Sequence, residues 1–310
     1  MKLNYLFIGA GGTGGILGAS LTKAGKNVTL IARGANLHAM QEHGLTIRHL
    51  WNQTEETIPV HAVSMEEYES QDPIPDVIFV CVKGYSIDSV LPFIKKVADS
   101  HTIVIPILNI YGTGARMQKE LPDSTVLDGC IYVSAALEQP GTLVQHGPIL
   151  RVVFGSRDPA QISPVMQTIQ SDLCESGAEG ILSRHIQRHA LEKFSYVSPI
   201  GAAGVYLHAV AGDFQKEGRA RELFKSMIRE ISNLAAAMGY PFEKDYVNVN
   251  LEILSHLSAD ATTSMQRDIQ EGKPSEVDGL VMEVVRLGRN YSVSMPCYEE
   301  VARALCPSEF

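Results

Sequence analysis

The sequence of 310 residues contains no apolar run long enough to cross a bilayer, which takes ~20 consecutive residues. The best run, Val77-Ile-Phe-Val-Cys-Val82, is short enough to be a strand. No secretory leader is expected either. Met1 to Ile8 carries one basic residue and too short an apolar stretch, and it enters a glycine cluster directly, so it reads as a first strand and the protein as cytoplasmic. The five cysteines, Cys81, Cys130, Cys174, Cys297 and Cys306, are scattered and form neither a C-x-x-C pair nor a set with histidine at metal-ligand spacing. They are expected to be reduced, with no metal site. Basic residues are too few for a polyanionic partner: 26 Lys and Arg against 35 Asp and Glu leave a net charge of −9, which argues against nucleic acid and membrane surfaces. Internal repeats, low-complexity tracts and Pro/Ser-rich linkers are absent too.

What is present is globular. Hydrophobic residues at 45% and charged residues at 20% can fill a core, and the length suggests two domains of roughly 150 residues. Tyr5 to Ile8, Val28 to Ala32, Val77 to Val82 and Ile103 to Leu108 are continuous apolar runs of the kind buried on both faces of a parallel sheet. A helical pattern over Ile16 to Lys23, stopped at Gly25, follows the first of them. Thr125 to Ala136, Gly141 to Gln145 and Leu150 to Phe154 read as strands, expected to extend that sheet in antiparallel fashion. After about His185 the apolar spacing is helical, over Ala220 to Met238, Tyr246 to Leu257 and Val277 to Leu287. The expected fold is α/β: an N-terminal Rossmann-type, doubly wound domain at 1–183 and an all-helical domain at 184–310. With no long linker, a ligand is expected in the cleft between them.

Gly9, Gly11 and Gly14 form G-x-G-x-x-G between a strand and a helix, with Gly12 and Thr13 inside the motif. Such a turn lets backbone N–H groups approach a pyrophosphate at a helix N-terminus. Where an NAD-binding protein usually carries a carboxylate for the ribose 2′-hydroxyl, the sequence has Ile31-Ala32-Arg33-Gly34. A guanidinium there suits a 2′-phosphate, so NADP(H) is the expected cofactor, although a strand-end arginine can also be merely solvated.

With these motifs, Cys81-Val-Lys83, Asn109, Glu192-Lys193, Ser264-Met-Gln-Arg-Asp268 and Ser275-Glu276-Val-Asp278, the sequence resembles the ketopantoate reductase (2-dehydropantoate 2-reductase) family along nearly its whole length. The twelve-residue step from Ser264 to Glu276 matches that family's pattern. The resemblance implies NADPH-dependent reduction of 2-dehydropantoate to pantoate, in pantothenate biosynthesis, by hydride transfer with Lys193 as proton donor. It also implies a second catalytic role for Glu276, substrate contact by Ser264, and contacts to cofactor or substrate by Lys83 and Asn109. Each position has a plainer reading: Lys193 as a solvated helix lysine, Glu276 as a dipole-favoured acid at a helix start, Ser264 as a helix cap, Asn109 as a turn residue.

Two positions depart from the family. Its catalytic helix presents substrate-binding asparagines four and eight residues after the lysine, on the same face; here those positions are Val197 and Gly201. The pocket wall is therefore expected to be less polar and wider, with Ser195, Tyr196 and Ser198 as substitutes for the lost contacts. Pro199 is expected to kink or break the helix. A paralogous NADPH-dependent reductase of a less polar 2-keto acid or ketone is thus a second reading, and a catalytically silent NADPH-binding sensor a third. The resemblance and the apolar C-terminal helices also allow a homodimer.

Overall fold

The structure is a computed structural model that describes residues 2–71 and 73–309; Met1, where the expected first strand opens, lies outside them. The chain forms two compact units, Met1–Leu108 with Gly112–Ile186, and Asn109–Tyr111 with Gln187–Phe310.

The first unit opens with β1 (Asn4–Ile8), α1 (Gly12–Lys23), β2 (Asn27–Ile31), α2 (Gly34–His43), β3 (Leu45–His49), β4 (Thr54–Ile58), β5 (His61–Val63) and α3 (Met65–Gln71). It continues through β6 (Val77–Val80), α4 (Ile87–Val97), β7 (Ile103–Pro106), α5 (Thr113–Glu120) and β8 (Thr125–Val126). The main sheet has the order β5-β2-β1-β6-β7-β8, with every pairing parallel. Its strands are apolar on both faces because both are covered. Tyr5 and Phe7 join the core that holds Ile16, Leu17 and Leu21 of α1, and Phe7 stacks on Phe79 at 4.9 Å. Leu6 and Ile8 point the other way, into a cluster with Ile87, Val90, Leu91 and Ile94, one helical stripe of α4. Helices on both faces make this a doubly wound α/β fold.

The strands after residue 125 depart from expectation. Only β8 extends the main sheet, and it does so in parallel. The outward backbone groups of Val126 are taken by side chains: its N–H donates to Gln118 Oε1 at 3.0 Å, and its carbonyl accepts from Arg157 Nη2 at 2.7 Å. No edge is left there for another strand. β9 (Asp128–Tyr132), β10 (Ala135–Gln139), β11 (Thr142–Gln145), β12 (Arg151–Gly155), α6 (Pro164–Glu175) and β13 (Glu179–Leu182) follow. They build two smaller sheets, β10-β11-β3-β4 and β13-β12-β9.

The second unit is helical, with no strand among its described residues. It comprises α7 (Ile186–Leu207, entered at its first turn), α8 (Ala211–Gln215), α9 (Arg219–Ala237), α10 (Tyr246–Ser255) and α11 (Ser264–Gln270). A π-helical turn over Asp278–Met282 then leads into α12 (Glu283–Asn290) and α13 (Pro296–Leu305). Phe224, Met227, Ile228, Ile231 and Leu234, one face of α9, form its core with Phe194, Ile200, Val284 and Tyr298.

Pro199 does not break α7, which runs unbroken through 22 residues. A helix-interior proline removes the N–H that would bond the carbonyl four residues back and ordinarily costs about 3 kcal/mol. Here that carbonyl belongs to Ser195, fully buried. Asn250 of α10, also buried, donates its Nδ2 to Ser195 O at 3.0 Å and lies 3.0 Å from Ser195 Oγ. A buried carbonyl left unpaired would cost about 1–3 kcal/mol, so this bond offsets much of the proline's effect.

Candidate active site

In the first unit, the carboxyl ends of β2, β1 and β6 lie side by side, and each carries an expected site residue. Gly9 ends β1 with φ +104°, a conformation favouring glycine. A Cβ on Gly14 would collide with the Gly9 carbonyl and the Cys81 side chain, so this glycine lets α1 sit close to the strands. At Gly11 a Cβ would meet nothing within 4 Å, and the backbone there faces open space. Gly12 abuts the Ala135 carbonyl, and Thr13 lies in the same first turn. This turn of α1 has no acidic residue and no side-chain cap. Its N–H groups and helix dipole therefore form a cradle for an anion. Arg33 is exposed at the N-cap of α2, just beyond β2. Lys83 follows β6, where its carbonyl accepts from Ser86 N at 2.9 Å to start a 3-10 turn.

In the second unit, Lys193 is only 9% exposed. Its Nζ donates to Asn109 Oδ1 at 2.9 Å. This is not the environment of a solvated helix lysine: burial penalises the charged amine, and the Asn109 amide oxygen offsets that penalty. An ammonium has three donors, and the bond to Asn109 fixes the direction of one of them. Tyr111, two residues beyond Asn109, packs on Phe194 at 6.2 Å, and Ile110 fills the notch at Gly279 where a side chain would stand.

Glu276 is 4% exposed, in the bend before the π-helical turn. The exposed first-turn acid of that turn is instead Asp278, paired with Arg286 at 2.8 Å. A buried carboxylate is expensive unless it is paired, and burial is not what a helix-dipole acid requires. Ser264 is not the cap of α11: Thr263 is, in a reciprocal capping box with Gln266, whose Oε1 accepts from Thr263 N at 3.0 Å. Ser264, half-buried, is the first residue inside the helix.

Val197 and Gly201 follow Lys193 at four-residue steps along α7, as expected, but the volume at Gly201 is not open. The methyl of Met265 stands 3.1 Å from where a Cβ would be, and Met265 is 1% exposed. The extra width expected at Gly201 is therefore not there, because a thioether fills the gap. Nor do the neighbouring hydroxyls replace the lost amides. Ser195 donates to Glu192 O at 2.7 Å, Ser198 donates to Leu280 O at 2.6 Å, and both are fully buried. Tyr196 lies edge-on to Phe224, and burial pushes its hydroxyl pKa up to about 12. Met265 and Asn250 are the residues that sequence reasoning missed. An asparagine in the apolar pattern of α10, opposite a helix containing proline, was the available signal. Among the described residues no group of His, Cys, Asp and Glu could hold a metal, and no helix is long and apolar enough to cross a membrane.

The sequence matches the family described as ketopantoate reductase PanE/ApbA over residues 5–159, and that family's C-terminal part over residues 185–307. The chain belongs to the ketopantoate reductase PanE/ApbA family. Members of this ketopantoate reductase family are oxidoreductases, 2-dehydropantoate 2-reductases among them. The 2-dehydropantoate 2-reductase of Aquifex aeolicus is 24% identical, covering 100% of this chain and 98% of that one. The crystal structure of 2-dehydropantoate 2-reductase from Methylococcus capsulatus has the same fold, with a TM-score of 0.87 at 23% identity over 99% of this chain and 97% of that chain. So does D-mandelate dehydrogenase, solved with NADH and anilino(oxo)acetate, with a TM-score of 0.86 at 21% identity over 96% of each chain.

Proposed function

We propose that the protein is an NADPH-dependent reductase of a 2-keto acid, with Lys193 as the proton donor and 2-dehydropantoate, the pantoate precursor of pantothenate biosynthesis, as first candidate substrate. The observation that carries this reading is the buried Lys193 amine held on Asn109. A sensor of bound cofactor has no use for such a donor. The open backbone at Gly11, the uncapped start of α1 and exposed Arg33 fit a dinucleotide bearing a 2′-phosphate.

A nicotinamide cofactor held at the start of α1 would supply a hydride to the keto carbon. Negative charge then develops on the carbonyl oxygen, and Lys193 Nζ stabilises that charge and gives up a proton to it, so that the ketone becomes a hydroxyl and the amine is left neutral. Solvent returns the proton to Lys193. Asn109 keeps the ammonium directed through this cycle. Ser264 and Glu276 hold the substrate, Ser264 by its hydroxyl and Glu276 by accepting from a substrate hydroxyl.

A second reading, a keto acid with an apolar tail, is favoured by Val197 and by Met265 in the space at Gly201. The D-mandelate dehydrogenase relative, solved with an aromatic oxoacetate, is in keeping with it. NADPH oxidation measured with 2-dehydropantoate and a panel of aliphatic and aromatic 2-keto acids tests both. Turnover of 2-dehydropantoate above all others supports the first reading, preference for an apolar tail the second, and no turnover of any 2-keto acid refutes both.

A further inference from the structure

The three proposed substrate-side groups of the second unit come from three segments: α7 itself, which carries Lys193, and two others that are fastened to α7 around Pro199. Lys193 lies on the N-terminal side of the proline. On its C-terminal side, Gly201 packs against Met265 and Gly204 against the Gln266 amide, 2.8 Å from where a Cβ would stand. Gln266 Nε2 also donates to Ala209 O at 2.7 Å. The start of α11, with Ser264, is thereby tied to the far half of α7. At the proline itself, Ser198 Oγ donates to Leu280 O in the π-helical turn that follows Glu276, and it is also bonded to Tyr298. The angle of α7 at Pro199 therefore sets where Lys193 stands relative to Ser264.

A proline leaves that angle poorly determined from within the helix, because the bond from residue 199 to Ser195 is missing. What replaces it comes from outside: Asn250 Nδ2, on α10, bonded to Ser195 O. We infer that Asn250 is a positioning residue for the proton donor, holding the Pro199 hinge of α7 at one angle so that Lys193 and Ser264 address the same substrate. The inference rests on the proposed role of Lys193. Asn250 touches no reacting atom and acts only through the helix.

The test is a double-mutant cycle of Asn250→Ala and Pro199→Ala. Restoring the N–H at position 199 gives Ser195 O a partner within the helix, so the asparagine should become dispensable. Asn250→Ala is expected to lower kcat for the best 2-keto acid about tenfold or more while leaving the NADPH Kd within about twofold. In the Pro199→Ala background the same substitution should lower kcat less than about threefold. Amide hydrogen exchange over residues 192–203, read on the same four proteins, should accelerate in Asn250→Ala and recover in the double variant. This readout needs no activity, so absence of turnover in the unmodified protein would overturn the functional reading while the exchange cycle still decides the hinge. An equal kcat loss in both backgrounds, or unchanged exchange in Asn250→Ala, overturns the inference. If Asn250→Ala fails to fold, a folded double variant supports the hinge, and failure of both to fold overturns it.

Discussion

Position 201 and Met265 should behave as one unit of volume. Gly201→Ala places a methyl in the interior of α7, where exchanging glycine for alanine favours the helix by about 1 kcal/mol. Against this, the Met265 methyl at 3.1 Å must retreat by some tenths of an ångström to reach the ~3.5–4.0 Å optimum. Overpacking costs about 1–3 kcal/mol, towards the low end when the neighbour is a flexible thioether. The net change should lie near zero. Gly201→Asn adds an amide and must displace Met265, so a destabilisation of about 2 kcal/mol is expected. Met265→Ala alone leaves a buried cavity and should cost about 2–5 kcal/mol. Together the two should cost less than their sum by at least about 1 kcal/mol, because the amide occupies the cavity. Denaturant unfolding of the four proteins measures the coupling, and strictly additive free energies would refute the shared volume. The pair, combined with Val197→Asn, should also raise kcat/KM for 2-dehydropantoate relative to an apolar keto acid by about tenfold, at about 0.5–1.5 kcal/mol for each hydrogen bond regained. A fall in that ratio would mean that the amides do not reach the substrate.

Arg33→Ala should remove most of a preference for NADPH over NADH, about 1.5–3 kcal/mol or roughly ten- to a hundred-fold in Kd; equal binding of both cofactors by the unmodified protein would sink the assignment. Lys193→Met, which keeps the apolar stem, should reduce turnover by two to four orders of magnitude, roughly 2.7–5.4 kcal/mol in barrier, with NADPH affinity unchanged. Asn109→Ala should fall between that variant and the unmodified protein; full activity of the lysine variant would return Lys193 to a structural role, and full activity of the asparagine variant would remove Asn109 from the orientation of Lys193. Glu230, buried beneath the start of α13, accepts from Cys297 N at 2.7 Å and Tyr298 N at 3.1 Å, and its burial raises its pKa above the ordinary 4.5. Between about pH 4.5 and the raised value the native protein keeps a proton that the unfolded chain has released, so its contribution to stability declines as pH rises through that window. Glu230→Gln should flatten the decline in unfolding free energy, and identical pH slopes for the two proteins would contradict it.

Much of the fold was legible because it is locally encoded. The strand, glycine turn and helix over residues 4–23 announce themselves through a continuous apolar run, a spaced glycine set and a 3.6-residue period. The strands between Asp128 and Phe154 were legible as strands but not in their partners. Leu143 of β11 pairs with Ile47 of β3, far away in the chain, and β4, the other partner of β3, is exposed over most of its length. Pro199 illustrates the same limit from the other side: the local rule predicts a kinked or broken helix, and the donor that serves the carbonyl it leaves, Asn250, lies 55 residues from Ser195. The environment of Lys193 was invisible for the same reason, since burial is a property of packing rather than of the helix that bears it.

The three residues Asn109–Tyr111 belong with the helical unit although they lie in the middle of the other unit's sequence. A gene fragment beginning at residue 187 would therefore encode most of that unit but not the whole of it. It would lack the amide oxygen that receives Lys193, the isoleucine seated at Gly279 and the ring against Phe194. The helical half is not a module that can be cut out and transplanted along the chain boundary. Chimeras between family members should exchange residues 109–111 together with the C-terminal segment, so that the lysine travels with its acceptor.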